Sequence, residues 1–129
     1  MRMEFKKFGQ IKSVPENKCA DINFGNDNEK LALFDCHGKG GNQFFAFAKN
    51  QMIVTQNSEQ CVGVTNDLIA VITVKCANQN ESQLWIYFEG KKWMVHVASG
   101  HCMQANKTEV TLGKCDSDNV NFQWEINNS

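Results

Sequence analysis

Six cysteines fall along this chain as three pairs, and the spacing of the pairs constrains the fold more than any other feature of the sequence. The pairs are Cys19 and Cys36, Cys61 and Cys76, Cys102 and Cys115. Their first members recur after 42 and 41 residues and their second members after 40 and 39. An aromatic residue stands nine positions past each second cysteine (Phe45, Trp85, Trp124), and an apolar one eight positions before each first cysteine (Ile11, Ile53, Met94). Just before each second cysteine runs an apolar-alternating segment: Leu31-Ala32-Leu33-Phe34, Val71-Ile72-Thr73-Val74 and Val110-Thr111-Leu112-Gly113. Four features in register across three copies mark internal repetition, which decides architecture before any local reading. The repeats run over roughly 8–48, 49–89 and 90–127 of a single domain spanning 1–129.

Within each copy lie short β-type runs, such as Met52-Ile53-Val54-Thr55, Leu84-Trp85-Ile86-Tyr87-Phe88 and Trp93-Met94-Val95-His96-Val97. Clusters of Gly, Asn, Asp and Ser separate them, and no segment sustains a helical period, so the chain reads as all-β. Three such copies cannot each bury a face alone. Closed around a threefold axis they share one core and leave few open edges. If each repeat closes its own cysteines, the bridges are Cys19–Cys36, Cys61–Cys76 and Cys102–Cys115. Six cysteines allow 15 pairings, of which the repeat makes this the simplest. Each bridge closes a loop of roughly 15 residues, worth about 3 kcal/mol on a chain-entropy account. Zinc is the rival use of the thiols, given the adjacent pairs Cys36-His37 and His101-Cys102. No C-x₂-C or H-x₃-H spacing supports it, and no metal site is expected.

Thirteen basic against fourteen acidic residues leave a formal charge of −1. They are scattered, so neither a nucleic-acid backbone nor an anionic membrane surface is the partner that charge selects. No apolar run approaches the roughly 18 residues of a membrane span, and Met1 to Phe8 lacks the apolar segment of a secretory signal. An even set of orderly cysteines nonetheless points to an oxidising compartment, and hence to a piece of a longer secretory-pathway protein. Asn80-Glu81-Ser82, Asn106-Lys107-Thr108 and Asn127-Asn128-Ser129 match the N-glycosylation acceptor pattern, which agrees.

The first repeat carries a run the others lack, Cys36-His37-Gly38-Lys39-Gly40-Gly41-Asn42-Gln43. Such a sequence suits a tight loop that turns polar groups toward one small object. Together with Gln83-Leu84-Trp85 as a Q-x-W motif and the cysteine frame, it resembles a ricin B-type β-trefoil lectin. The run itself is similar to the first repeat of the C-terminal lectin domain of polypeptide N-acetylgalactosaminyltransferases. The likeness covers about Phe8 to Ile126. It implies a β-trefoil with pseudo-threefold symmetry that binds N-acetylgalactosamine (GalNAc) or galactose-type glycans and O-glycosylated peptides. It also implies a parent enzyme of mucin-type O-glycosylation in the Golgi lumen, whose catalytic domain, with a divalent metal such as manganese, lies outside this chain. For this domain the resemblance implies no cofactor, no catalysis and no nucleic-acid or membrane contact.

Residue by residue, the resemblance gives Asp21 to accept from two sugar hydroxyls, Phe34 to stack on the apolar sugar face, and His37 and Asn42 to complete the contacts with Gln43 beside them. The chemistry suits a galactose-type ring, which offers vicinal hydroxyls and one face of C–H groups. Taken singly, each residue has an ordinary structural role as turn cap, core ring or loop bond, and it is their joint presence that argues for a site. Asp21 and Asn42 are expected to face a solvated pocket. The same offsets fall on Gly63, Val74, Ala77 and Ser82 in the second repeat, where only Gln83 survives. In the third they fall on Gln104, Gly113, Asp116 and Asn121. One functional lobe and two scaffold lobes follow. Two departures are expected to be tolerated: Phe45 in place of the motif Trp, a loss of core volume, and Phe122 in place of its Gln.

An enzyme reading finds no nucleophile with its base, no phosphate loop and no paired carboxylates in one cleft. The alternative to a transferase module is a free-standing secreted lectin or toxin-like subunit.

Overall fold

The computed structural model describes residues 4–56, 60–77 and 80–127. Each repeat supplies four strands in the same order. The first has β1 (Phe5–Ser13), β2 (Lys18–Asp21), β4 (Ala32–Phe34) and β5 (Phe45–Ala48), with a two-residue β3 (Glu29–Lys30) in its long hairpin loop. The second has β6 (Ile53–Thr55), β7 (Cys61–Val64), β8 (Val71–Val74) and β9 (Trp85–Phe88); the third has β10 (Trp93–His96), β11 (Cys102–Asn106), β12 (Glu109–Gly113) and β13 (Trp124–Asn127). No α-helix occurs among the described residues.

First and last strands of the repeats close a six-stranded barrel. β1 pairs with β5, β5 with β6 and β9 with β10, while the Met52–Leu84 bridge joins the ends of β6 and β9. Trp124 N donates to the Lys92 carbonyl, and β13 pairs back onto β1 to complete the ring. The two inner strands of each repeat form a hairpin that caps the barrel. Cys19 stands opposite Phe34, Cys61 opposite Val74 and Cys102 opposite Gly113, so the register is the same three times. The hairpins meet edge to edge: Leu31 N donates to Val71 O, Leu112 N to Ile69 O and Leu33 N to Thr108 O. This is the expected all-β trefoil plan, in which closure removes the open edges.

The residues that set the repeat in sequence occupy its centre. Ile11, Ile53 and Met94 are at most 1% exposed, and Phe45, Trp85 and Trp124 at most 4%. Each indole donates to the backbone of its own cap hairpin, Trp85 to Val62 O and Trp124 to Met103 O, both at 2.9 Å. The Phe45 ring has no N–H to give, so the first repeat lacks this buried hydrogen bond, worth about 1 kcal/mol, as well as core volume. The bridges Cys19–Cys36, Cys61–Cys76 and Cys102–Cys115 tie the start of each hairpin to the residues just past its end. Of the glycosylation triplets, Asn106-Lys107-Thr108 makes the exposed turn between β11 and β12. Asn80 Oδ1 accepts from both the amide and the hydroxyl of Ser82, and Asn127-Asn128-Ser129 lies partly outside the described residues.

His96 is 1% exposed. Its Nε2 faces the Ser82 carbonyl at 2.8 Å, which only accepts, so that nitrogen carries the proton. Nδ1 then accepts from the Ser99 hydroxyl at 2.7 Å, while Ser99 Oγ accepts from His101 N. Burial pulls the imidazole pKa down from its ordinary 6.5; the bond to Ser82 opposes this and the nearby His101 adds to it. With the folded pKa below the unfolded one, the contribution of His96 is fully present above about pH 6.5. It is lost as pH falls toward the folded pKa, because the unfolded chain takes up the proton first. Urea unfolding at about pH 7.5 and about pH 5.5 should show lower stability in acid, and His96→Gln should flatten the difference.

Candidate functional site

Asp21 ends β2 and Phe34 ends β4. Because Cys19 pairs with Phe34 and Asp21 with Ala32, both side chains leave the same face of the hairpin as diagonal neighbours, about 7–8 Å apart at Cα. The alternate residues of these strands, Ala20 and Leu33, are at most 1% exposed and face the core. The pleat thus turns a carboxylate and an aromatic ring to the same face of the hairpin, away from the core. The ring is 48% exposed, which removes the core role that its apolar alternation also allowed.

Asp21 is only 8% exposed and not openly solvated. Its Oδ1 accepts from Asn23 N at 2.8 Å, an Asx turn that bends the chain away from β2, and its Oδ2 accepts from Gln43 Nε2 at 3.2 Å. Gln43 is itself 1% exposed, and its amide closes the whole loop: Nε2 also donates to Asp35 O at 3.0 Å, and Oε1 accepts from His37 N at 3.2 Å. Gln83 makes the two equivalent loop bonds, to Lys75 O and from Ala77 N, both at 3.0 Å. The Gln of the motif is therefore a brace, and in the first repeat the brace also fixes a carboxylate.

Asn42 lies in the 3₁₀ turn Gly41–Gln43. Its Nδ2 donates to Asn23 O at 2.6 Å and its carbonyl accepts from Ile22 N at 3.1 Å, which fastens the Asp21 loop to the turn. His37 is exposed and its Nδ1 accepts from Lys39 N at 3.0 Å. Gly40 and Gly41 both take positive φ, 72° and 65°, and Gly41 N donates to Gln56 Oε1 at 2.7 Å. A side chain at Gly40 would crowd the Gln56 amide, its Cβ falling 3.1 Å from Oε1. The structure thus links Asp21, His37, Asn42 and Gln43 through shared bonds, with Phe34 on their face. Three supporting residues escaped the sequence reading. Asn23 was readable as the second residue after an Asp in a turn. Glu29, which accepts from Asn26 N and Phe24 N, and Gln56, which comes from another repeat, carried no local signal.

The other two repeats differ in kind. In the third, the place above Gly113 is filled: a Cβ there would lie 3.0 Å from Gln104 Oε1 and 3.3 Å from Phe122 Cζ. Phe122, at the brace position, is 3% exposed, so the missing Gln is replaced by packing. In the second, a hollow of about 490 Å³ remains over Gly63, Val74, Ala77, Ser82 and Gln83, without carboxylate or ring at the corresponding positions. Another hollow, about 280 Å³ and lined largely by apolar side chains that include Met52, Ile53, Trp85 and Met94, lacks the convergent amides of the first repeat. Among the described residues no group of three or more His, Cys, Asp or Glu is arranged to hold a metal ion.

The ricin-type beta-trefoil lectin domain family matches residues 7–124. This chain belongs to that family. Among curated relatives, the lectin domain is 29% identical over 124 residues to N-acetylgalactosaminyltransferase 7 of Rattus norvegicus, covering 95% of this chain and 18% of the relative. It is 32% identical over 128 residues to polypeptide N-acetylgalactosaminyltransferase 13 of Homo sapiens, covering 96% of this chain and 22% of the relative. The chain therefore spans about a fifth of the curated relatives it matches. Among solved structures, the lectin domain superposes on GalNAc-T7, crystallised with UDP, GalNAc and Mn2+, with a TM-score of 0.86 at 25% identity, covering 97% of this chain and 23% of that one. The earthworm R-type lectin C-half in complex with GalNAc gives 0.79 at 16% identity, covering 96% of this chain and all of that one, which attests the fold.

Gly63 tests why the second repeat has no carboxylate. A Cβ at Gly63 would fall 2.9 Å from Val74 Cγ2, so regaining an acid there collides with the residue opposite Cys61. Gly63→Asp should lower stability by about 1–3 kcal/mol in urea unfolding, and Gly63→Asp with Val74→Ala should recover part of it.

Proposed function

We propose that the lectin domain binds a single GalNAc residue in its first repeat, with Asp21 as hydroxyl acceptor, Phe34 as the stacking surface, His37 and Asn42 as flanking contacts, and Gln43 as the group that holds Asp21. The observation that carries this is the shared hairpin face of Asp21 and Phe34, with the carboxylate fixed by Asn23 and Gln43 before any ligand arrives. A pre-oriented carboxylate loses little on binding, and a half-exposed ring on the same face offers a surface for the apolar side of a sugar. The relatives and the GalNAc-bearing solved structures support the choice of sugar.

One shallow site of this kind, exchanging hydrogen bonds with well-solvated hydroxyls, binds a lone GalNAc at about −4 kcal/mol, a dissociation constant near 1 mM. That strength serves a module tethered to an enzyme, which raises the local concentration of acceptor residues near an existing GalNAc. We therefore read the chain as the lectin part of a polypeptide N-acetylgalactosaminyltransferase in the secretory pathway, in the Golgi lumen, directing a manganese-dependent catalytic domain to O-glycosylated peptides. This domain itself carries no transferase chemistry.

Calorimetry of the chain with a GalNAc-threonine peptide should give one-to-one binding near millimolar strength. Asp21→Ala should abolish it, at a cost of about 1–2 kcal/mol in stability because the Asn23 amide loses its partner. Asn42→Ala should also remove binding. Unchanged binding by Asp21→Ala places the site in another repeat. A stoichiometry of two or three, or nanomolar affinity for a monovalent sugar, makes the free-standing lectin the better account.

A further inference from the structure

Phe24 is 88% exposed, well beyond Phe34, yet it stands on a loop tied at several points. The turn Ile22–Gly25 is closed by Gly25 N donating to Ile22 O at 3.0 Å, with Asn23 at φ 59°. Asn42 Nδ2 holds the carbonyl that precedes Phe24, Glu29 Oε2 accepts from the Phe24 amide, and Asn23 Nδ2 donates to Lys30 O. The backbone that carries the ring is thus fixed by Asn42 and, through Asn23, by Asp21. An exposed ring on a pre-formed loop is an anchor that meets its partner with little ordering cost.

We propose that Phe24 contacts the peptide that carries the sugar, packing on an apolar residue, proline above all, next to the glycosylated threonine. This deepens the reading of the first repeat as a GalNAc site and rests on it. A second sugar ring is the other neighbour a stacked aromatic could take, but such a ring needs polar partners at its rim. Of the polar side chains beside Phe24, the Glu29 carboxylate receives Phe24 N and Asn26 N, and the Asn23 amide nitrogen gives to Lys30 O, so both are already engaged in holding the loop. The ring itself offers an apolar plane, which suits a proline ring and makes Phe24 a specificity residue for sequence around the sugar.

The test uses the full chain and four probes by NMR titration: methyl α-GalNAc, a GalNAc-containing disaccharide, Gly-Thr(α-GalNAc)-Gly and Pro-Thr(α-GalNAc)-Pro. The unmodified chain should prefer the proline glycopeptide to the glycine one by about three- to tenfold. Phe24→Ala should erase that preference and leave methyl α-GalNAc binding unchanged, while Phe24→Tyr should keep the preference. So exposed a side chain can be removed without loss of folding, which a thermal melt checks. Retention of the preference by Phe24→Ala overturns the inference and leaves the GalNAc site standing. So does an equal loss for the monosaccharide, which would make Phe24 a direct sugar contact, or a loss confined to a GalNAc-containing disaccharide. Failure of the unmodified chain to bind methyl α-GalNAc overturns the site itself.

Discussion

Trp85 and Trp124 each do two jobs at once: their rings fill the shared core, and their indole hydrogens reach across to the hairpin of their own repeat, at Val62 and Met103. That bond couples barrel to cap. An indole N–H buried without a partner would cost about 1–3 kcal/mol, so each tryptophan can occupy the centre only if the hairpin lies where it does. The hairpin in turn is pinned by its disulfide and by the edge of the next hairpin. In the first repeat, which has Phe45, the coupling comes instead from the Gln43 network and from Asn42, whose carbonyl takes Ile22 N. The repeat that carries the candidate site is therefore the one whose cap, packed on the core like the others, takes its hydrogen bonds from the loop side and not from a core indole.

Divergence of three copies on one backbone has taken three physical forms. The first repeat keeps an acid and a ring at the hairpin face, with a glutamine to hold the acid. The second keeps the glutamine but has no acid, and Val74 Cγ2 stands where a Cβ at 63 would come. The third gives up the glutamine, and Phe122 and Gln104 crowd the place above Gly113. The register Cys19–Phe34, Cys61–Val74 and Cys102–Gly113 is unchanged throughout, so the differences lie in the side chains on this face and in the length of the hairpin loops.

The trefoil was legible in the sequence because its signal is a period, and a period survives changes in loop length; the apolar and aromatic residues whose offsets marked the repeats are the buried centre. The gathering of Asp21, His37, Asn42 and Gln43 was legible for the same reason, since a fixed register converts sequence offsets into neighbours. Burial of Asp21 was not legible, because it depends on the direction of the Gln43 amide, which no spacing encodes. Nor was the support from Gln56, which reaches Gly41 from another repeat, or the hollow over Gly63, which arises from small residues failing to fill a place. Phe24 escaped for a plainer reason: nothing in its local pattern separates an exposed aromatic from a core one.

The long loop that carries Asn23 and Phe24 is anchored on the second repeat. Thr73 Oγ1 donates to Asn26 O at 2.7 Å, Asn28 N donates to the Thr73 carbonyl, and Glu29 pairs with Thr73 across β3 and β8. These contacts span more than forty residues of chain. On a ribosome the sequence of the first repeat is complete well before its loop has anything to rest on, and contacts between distant segments form late because loop closure precedes their reward. The loop beside the candidate site thus rests on two neighbouring repeats, and the second repeat, which has glycine where the first has Asp21, is the foundation of the first.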